Sequence, residues 1–127
     1  MESGVVRTYY NNGQLCSECF QLNYKNEGEM KGYYKNGKLS LVCNYIDGLR
    51  YGEWKSYNED ETLSEEGLYY KDKKIGKWYS YFEGSMNHII EYIDNEERVY
   101  NSDNKIIIIG KNIDGINGEY TYFNDDD

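Results

Sequence analysis

Gly52-Glu53-Trp54-Lys55-Ser56-Tyr57 returns 24 residues later as Gly76-Lys77-Trp78-Tyr79-Ser80-Tyr81. The same step backwards reaches Gly28-Glu29-Met30-Lys31-Gly32-Tyr33, and one more reaches Gly4-Val5-Val6-Arg7-Thr8-Tyr9. A fixed period of this size marks a repeat array. Each unit reads as two short strands and two turns. The first strand runs from the Gly to Tyr9-Tyr10, Tyr33-Tyr34, Tyr57-Asn58 or Tyr81-Phe82. A turn follows at Asn12-Gly13, Asn36-Gly37, Asp60-Glu61 or Glu83-Gly84. Asn-Gly between aromatic runs signals a tight hairpin, because both residues tolerate positive φ. The second strand opens at Leu15, Leu39, Leu63 or Met86, and a second turn is read at Asp47-Gly48, Asp72-Lys73 and Asp94-Asn95.

Period-two alternation sets Trp54 and Trp78 on one face, beside Ser56 and Ser80, which leave room for a neighbouring ring. Tyr57 and Tyr81 fall on the other face, in a ladder with Tyr9 and Tyr33. The aromatic positions have no 3.6-residue period, which excludes helix. The expected fold is all-β: an elongated single-layer antiparallel sheet of ten to eleven strands, built as successive β-hairpin repeats. The chain reads as one domain of 127 residues, with units starting near Gly4, Gly28, Gly52 and Gly76. A degenerate unit follows near Asn95, and a half unit begins at Gly118. Asn58 to Thr62 reads as a longer, acidic, solvent-exposed turn.

Sixteen tyrosines, two tryptophans and three phenylalanines argue against disorder. A formal charge of −9 argues against nucleic acid or an anionic membrane surface as the main partner. The run Lys71, Lys73, Lys74, Lys77 reads as a solvated turn. Met1-Glu2-Ser3-Gly4 has neither the basic start nor the apolar core of a signal peptide. Cys16, Cys19 and Cys43 leave at least one thiol unpaired. Cys19 and Cys43 occupy the same slot of adjacent units, two strand spacings or roughly 10 Å apart, too far for a disulfide. Reduced thiols point to the cytoplasm. The single His88 lies far from the cysteines in sequence, so no metal or other cofactor is expected. No nucleophile elbow or phosphate loop appears, and neighbouring carboxylates such as Glu65-Glu66 point apart on a strand. The expected protein is not an enzyme.

Gly-x-Trp-x-x-Tyr, then Asn-Gly, then Leu and a trailing Tyr-x-x-Gly, resembles the membrane occupation and recognition nexus (MORN) repeat. The similarity is to its 24-residue variant, as in YwqK-like antitoxin family proteins. It runs from Gly4 to Phe123 and is clearest from Gly28 to Tyr57. The resemblance implies a repeat scaffold without catalytic residues. It leaves three readings: a scaffold that binds a protein or another copy of itself, an antitoxin or immunity-like protein that binds a toxin, and a phospholipid-associated module. The expected contact residues are Tyr33, Trp54, Tyr57, Trp78 and Tyr81. Residue usage rich in Asn, Ile, Lys and Tyr suits an AT-rich genome, bacterial or viral.

Overall fold

The computed structural model describes residues 2–93, 96–113 and 116–122. The turn read at Asp94-Asn95, the resemblance's last residue Phe123 and the acidic residues Asn124 to Asp127 lie outside the described residues. The strands are β1 (Ser3–Tyr9), β2 (Leu15–Leu22), β3 (Lys25–Tyr33), β4 (Leu39–Ile46), β5 (Leu49–Arg50) and β6 (Gly52–Tyr57). They continue as β7 (Leu63–Tyr70), β8 (Lys73–Phe82), β9 (Ser85–Ile93), β10 (Glu96–Asn101), β11 (Ile106–Ile113) and β12 (Ile116–Tyr122). All join one antiparallel sheet in sequence order, with β5 continuing the line of β6 beside β4. The all-β single sheet matches the sequence reading, and among the described residues its path counts eleven strands.

Two irregularities recur along the sheet. The first lies at Thr8/Tyr9, Gly32/Tyr33, Ser56/Tyr57, Ser80/Tyr81 and Val99/Tyr100. At each, the Tyr faces the apolar residue that opens the next strand: Leu15, Leu39, Leu63, Met86 or Ile106. One extra residue on the second strand makes a bulge, which adds local twist. The second irregularity explains the repeating Gly. Between β2 and β3 the pairing passes from Cys19–Met30 to Gln21–Asn26, so three residues face one. Gly28 lies in that bulge at φ 84°, and Gly52 and Gly76 take 73° and 66° at the equivalent places. An added Cβ at any of the three would meet nothing within 4 Å. Backbone conformation, not space, therefore demands glycine there. Between β9 and β10 the register runs unbroken from Ile93–Glu96 to His88–Asn101. With no bulge to make, that junction has no Gly-x-Trp.

The Asn-Gly turns differ from expectation. Tyr10 to Gln14 forms a five-residue loop: the Tyr10 amide donates to the Gln14 carbonyl at 2.9 Å, and the Gly13 amide to the Tyr10 carbonyl at 3.0 Å. Asn12 keeps a negative φ and uses its side chain to accept the Gln14 amide at 2.9 Å; only Gly13 is left-handed. Tyr34 to Lys38 repeats this loop. So does Asn58 to Thr62, with Asp60 as the acceptor and Glu61 at the left-handed place. The acidic turn is therefore the same size as its neighbours. Two-residue turns with both φ positive occur instead at Asn23-Tyr24, Asp47-Gly48, Lys71-Asp72 and Glu83-Gly84. In the third unit the second turn thus stands at Lys71-Asp72, one residue before the Asp72-Lys73 expected. Two of them also dock on the strand that leaves the equivalent turn of the unit before. The Gly48 amide donates to the Asn26 carbonyl at 3.0 Å, and the Asp72 amide to the Arg50 carbonyl at 2.9 Å.

At the rim that carries the five-residue loops and Glu83-Gly84, tyrosines tie successive units. Tyr10 Oη donates to the Tyr33 carbonyl at 2.7 Å, and Tyr34 Oη to the Tyr57 carbonyl at 2.6 Å. Asn58 stands at the third such position and bonds Thr62 within its own loop.

Candidate functional site

Strand register fixes which side chains share a face. Val6 pairs with Cys19, Cys19 with Met30 and Met30 with Cys43; Trp54 pairs with Gly67, and Trp78 with Ile90. This row carries most of the core; Ile89, which pairs with Tyr79 and Tyr100 on the other face, is buried as well. Cys19, Cys43 and Trp78 are buried, as is Tyr69, two residues beyond Gly67 on the same face. Trp54, Tyr69 and Trp78 form one continuous stack. The Trp54 and Tyr69 rings meet edge to face at 5.3 Å, and Tyr69 and Trp78 at 5.0 Å. The space for Trp78 comes from Gly67: a Cβ there would fall inside the Trp78 ring. This corrects the expectation that Ser56 and Ser80 supply the room. Trp78 Nε1 donates to the Leu68 carbonyl at 3.0 Å, so the buried ring leaves no polar atom unpaired.

Cations cap the stack. The Arg50 guanidinium lies 4.3 Å from the Tyr69 centroid and 5.8 Å from that of Trp54, and Lys74 Nζ lies 4.5 Å from Trp78. Arg50 Nε also donates to Asp72 at 2.6 Å, which holds the Asp72 carboxyl below its ordinary range. With Trp78 only 2% exposed, its assignment as a contact residue fails: it is a core side chain. Trp54 stays half-buried beneath Arg50.

Tyr33, Tyr57 and Tyr81 sit on the other face, all half-buried. Tyr81 Oη donates to Glu66 Oε1 at 2.8 Å; burial and that carboxylate push the Tyr81 phenol up to about 12. The five expected contact residues therefore divide between two faces, and no single flat partner reaches both sets.

A more exposed surface lies on the tyrosine face, toward the two-residue turns. Ile46 pairs with Leu49, the Tyr51 and Tyr70 rings meet at 5.4 Å, and Leu68 pairs with Ile75. Ile46, Leu49, Leu68, Tyr70 and Ile75 are each 40–53% exposed. Beside Leu68 opens a shallow depression of about 410 Å³, walled by Glu53, Lys55, Glu66, Lys77 and Tyr79. Lys71 Nζ lies 5.6 Å from the Tyr70 centroid. Sequence reasoning passed over this strip because β7 reads apolar on both faces, with Tyr69 beside Tyr70. The available signal was Leu68, which alternates with Gly67 and shares a face with the charged pair Lys55–Glu66.

The two buried thiols, Cys19 and Cys43, offer no ready nucleophile. Burial pushes Cys43 up to about 11 and raises Cys19 as well, so both stay protonated near neutral pH. Cys19 and Cys43 flank Met30 on either side, two strand spacings apart. Among the described residues, no group of three or more His, Cys, Asp or Glu side chains is placed to hold a metal.

A family model described as MORN repeat variant matches residues 2–26, 26–47 and 50–72, more than half of the chain. No curated protein and no solved structure matches it.

Proposed function

The chain belongs to the MORN repeat variant family, and on that premise we propose that it is a non-catalytic scaffold that binds another protein inside the cell. MORN repeats are generally associated with protein or membrane interaction, and the family is one of non-enzymatic repeat scaffolds. One observation carries the narrower reading. A single-layer sheet has no second layer to cover it, and here the strip Ile46, Leu49, Leu68, Tyr70 and Ile75 stands open to water. Contiguous exposed apolar surface of this kind marks interaction sites. The mixed charges of Glu53, Lys55, Glu66 and Lys77 beside it supply the polar rim that confers orientation. An antitoxin or immunity role is one form of the same reading, with a toxin as the bound protein.

The test is capture from native lysate by the parent chain, by a Leu68/Tyr70/Ile75→Ser variant, and by a Tyr33/Tyr57/Tyr81→Ser variant. The proposal expects a stoichiometric protein partner that the first variant loses. Vesicles of neutral and anionic phospholipid run alongside. Saturable vesicle binding with no protein partner would replace this reading with a membrane one.

A further inference from the structure

We propose that β1 is a dimerisation edge: two copies of this chain join β1 to β1 about a two-fold axis through Val6, making one continuous antiparallel sheet. The proposal goes beyond the scaffold reading, uses a different surface, and stands on the edge alone.

The strand is open in three respects. Among the described residues it pairs only with β2, and all seven of its residues are exposed. The Asn23 amide donates to the Glu2 carbonyl, so even-numbered positions turn their backbone groups toward β2. Ser3, Val5 and Arg7 therefore turn theirs outward. An unpaired ladder edge is a template for another strand unless something blunts it. Here the side-chain devices are missing, and the bulge at Thr8/Tyr9 places its extra residue, Cys16, on β2 rather than on the edge. The strand holds no proline, lysine or acid, and its one charge, Arg7, is taken up by Glu18 at 2.7 Å. On both faces the side-chain rows end in exposed valine: Val6 at the end of the core row, and Val5 paired with Phe20 on the other face.

Strand direction selects how two copies would meet. Eleven antiparallel strands lie along the described path, so β1 and β12 run the same way. Copies stacked head to tail would meet through a parallel junction, unlike every ladder within the sheet. A two-fold at β1 gives an antiparallel junction like the rest. Such an axis must pair positions of like parity if the core face of one copy is to continue into the other. Centring on Val6 pairs the whole strand: Ser3 with the second copy's Tyr9, Gly4 with Thr8, Val5 with Arg7, and Val6 with Val6. The outward groups of Val5 and Arg7 then bond each other. Val6 meets its equivalent in a non-hydrogen-bonded pair, with Cα atoms about 4.5 Å apart. Two copies of formal charge −9 repel, so association strengthens as salt screens them. A basic protein partner would show the opposite dependence.

The test uses the full chain in light scattering and sedimentation at rising concentration, at low and moderate salt. The parent should reach twice the chain mass, and more readily at the higher salt. Val5→Pro removes one outward N–H and no internal ladder bond. It should weaken dimerisation at least tenfold while leaving the β-type circular-dichroism spectrum unchanged. V6C, made with Cys16, Cys19 and Cys43 replaced by Ala, should give a covalent dimer on mild oxidation, whereas V5C in the same background should not. A parent that stays monomeric at every concentration overturns the proposal. So does a folded Val5→Pro variant that dimerises like the parent, or equal cross-linking at both positions. The Leu68/Tyr70/Ile75→Ser variant should dimerise normally, so loss of partner capture and loss of dimer remain separate results.

Discussion

Gly67 and Tyr69 face one side of β7; Leu68 and Tyr70 face the other. The four residues are consecutive, yet Tyr69 is buried and Tyr70 is more than half exposed. Neither propensity nor hydrophobicity separates them. What separates them is the company across the ladder. Tyr69 lies between Trp54 and Trp78, under Arg50, in space that Gly67 leaves open. Tyr70 meets Tyr51, with the lysine at position 71 over its ring and Lys73 across the ladder. On this face, a sheet without a second layer makes its core where large side chains lie down over small neighbours.

The largest expected effect sets the core face against itself. Trp78→Ala removes a buried ring and its hydrogen bond, and should cost about 3–5 kcal/mol in denaturant unfolding. Trp54→Ala, which truncates a half-exposed ring, should cost clearly less. Equal losses would break the distinction between them. Gly67→Ala comes next: the new methyl displaces the Trp78 ring, at about 1–3 kcal/mol. If that variant melts with the parent, Gly67 is not what makes the room.

Alkaline pH probes both faces. The Cys43 thiol is held protonated by burial, its folded pKa of about 11 lying above the unfolded value. Its contribution is complete below the ordinary thiol range and is lost as pH rises through that range toward about 11. Tyr81 and Tyr92, each pushed up to about 12, act in the same sense at higher pH. Unfolding followed from pH 8 to 10.5 should show the parent losing stability, and Cys43→Ala losing less over the first part of that span. Parallel curves would remove Cys43 from the account.

Tyr34→Phe deletes one bond between units and should cost about 1 kcal/mol, with the chain otherwise intact. The smallest effect belongs to the open strip. Leu68→Ser with Ile75→Ser should move stability by less than about 1 kcal/mol, in the range of surface substitutions. A larger loss would mean that the strip supports the fold rather than facing a partner.

Much of the architecture was legible because the repeat reports on strand pairing. The Tyr of each first strand and the apolar residue opening the second recur in register, and they do face each other across a bulge, as Tyr33 and Leu39 do. The leading glycine was visible but not its reason. A left-handed residue in a bulge depends on the register between two units, which no single unit encodes. Gly67 was harder still. Its slot holds Cys19 and Cys43 in earlier units, so the glycine is no part of the repeat and becomes meaningful only beneath the Trp78 ring. The contact set failed in part for the same reason. Alternation placed Trp78 on the correct face, but burial depended on the neighbour.

The strictly sequential order of the sheet has a mechanical consequence. Each strand has its substantial contacts only with the strands beside it in the path. No late strand locks an early one, so tension applied to the two ends loads one hairpin at a time. The sheet should peel from its rims in steps, each releasing one strand's ladder while the next still holds. Such a chain yields gradually under load, as a spring does, and re-forms by laying each strand back on the one before.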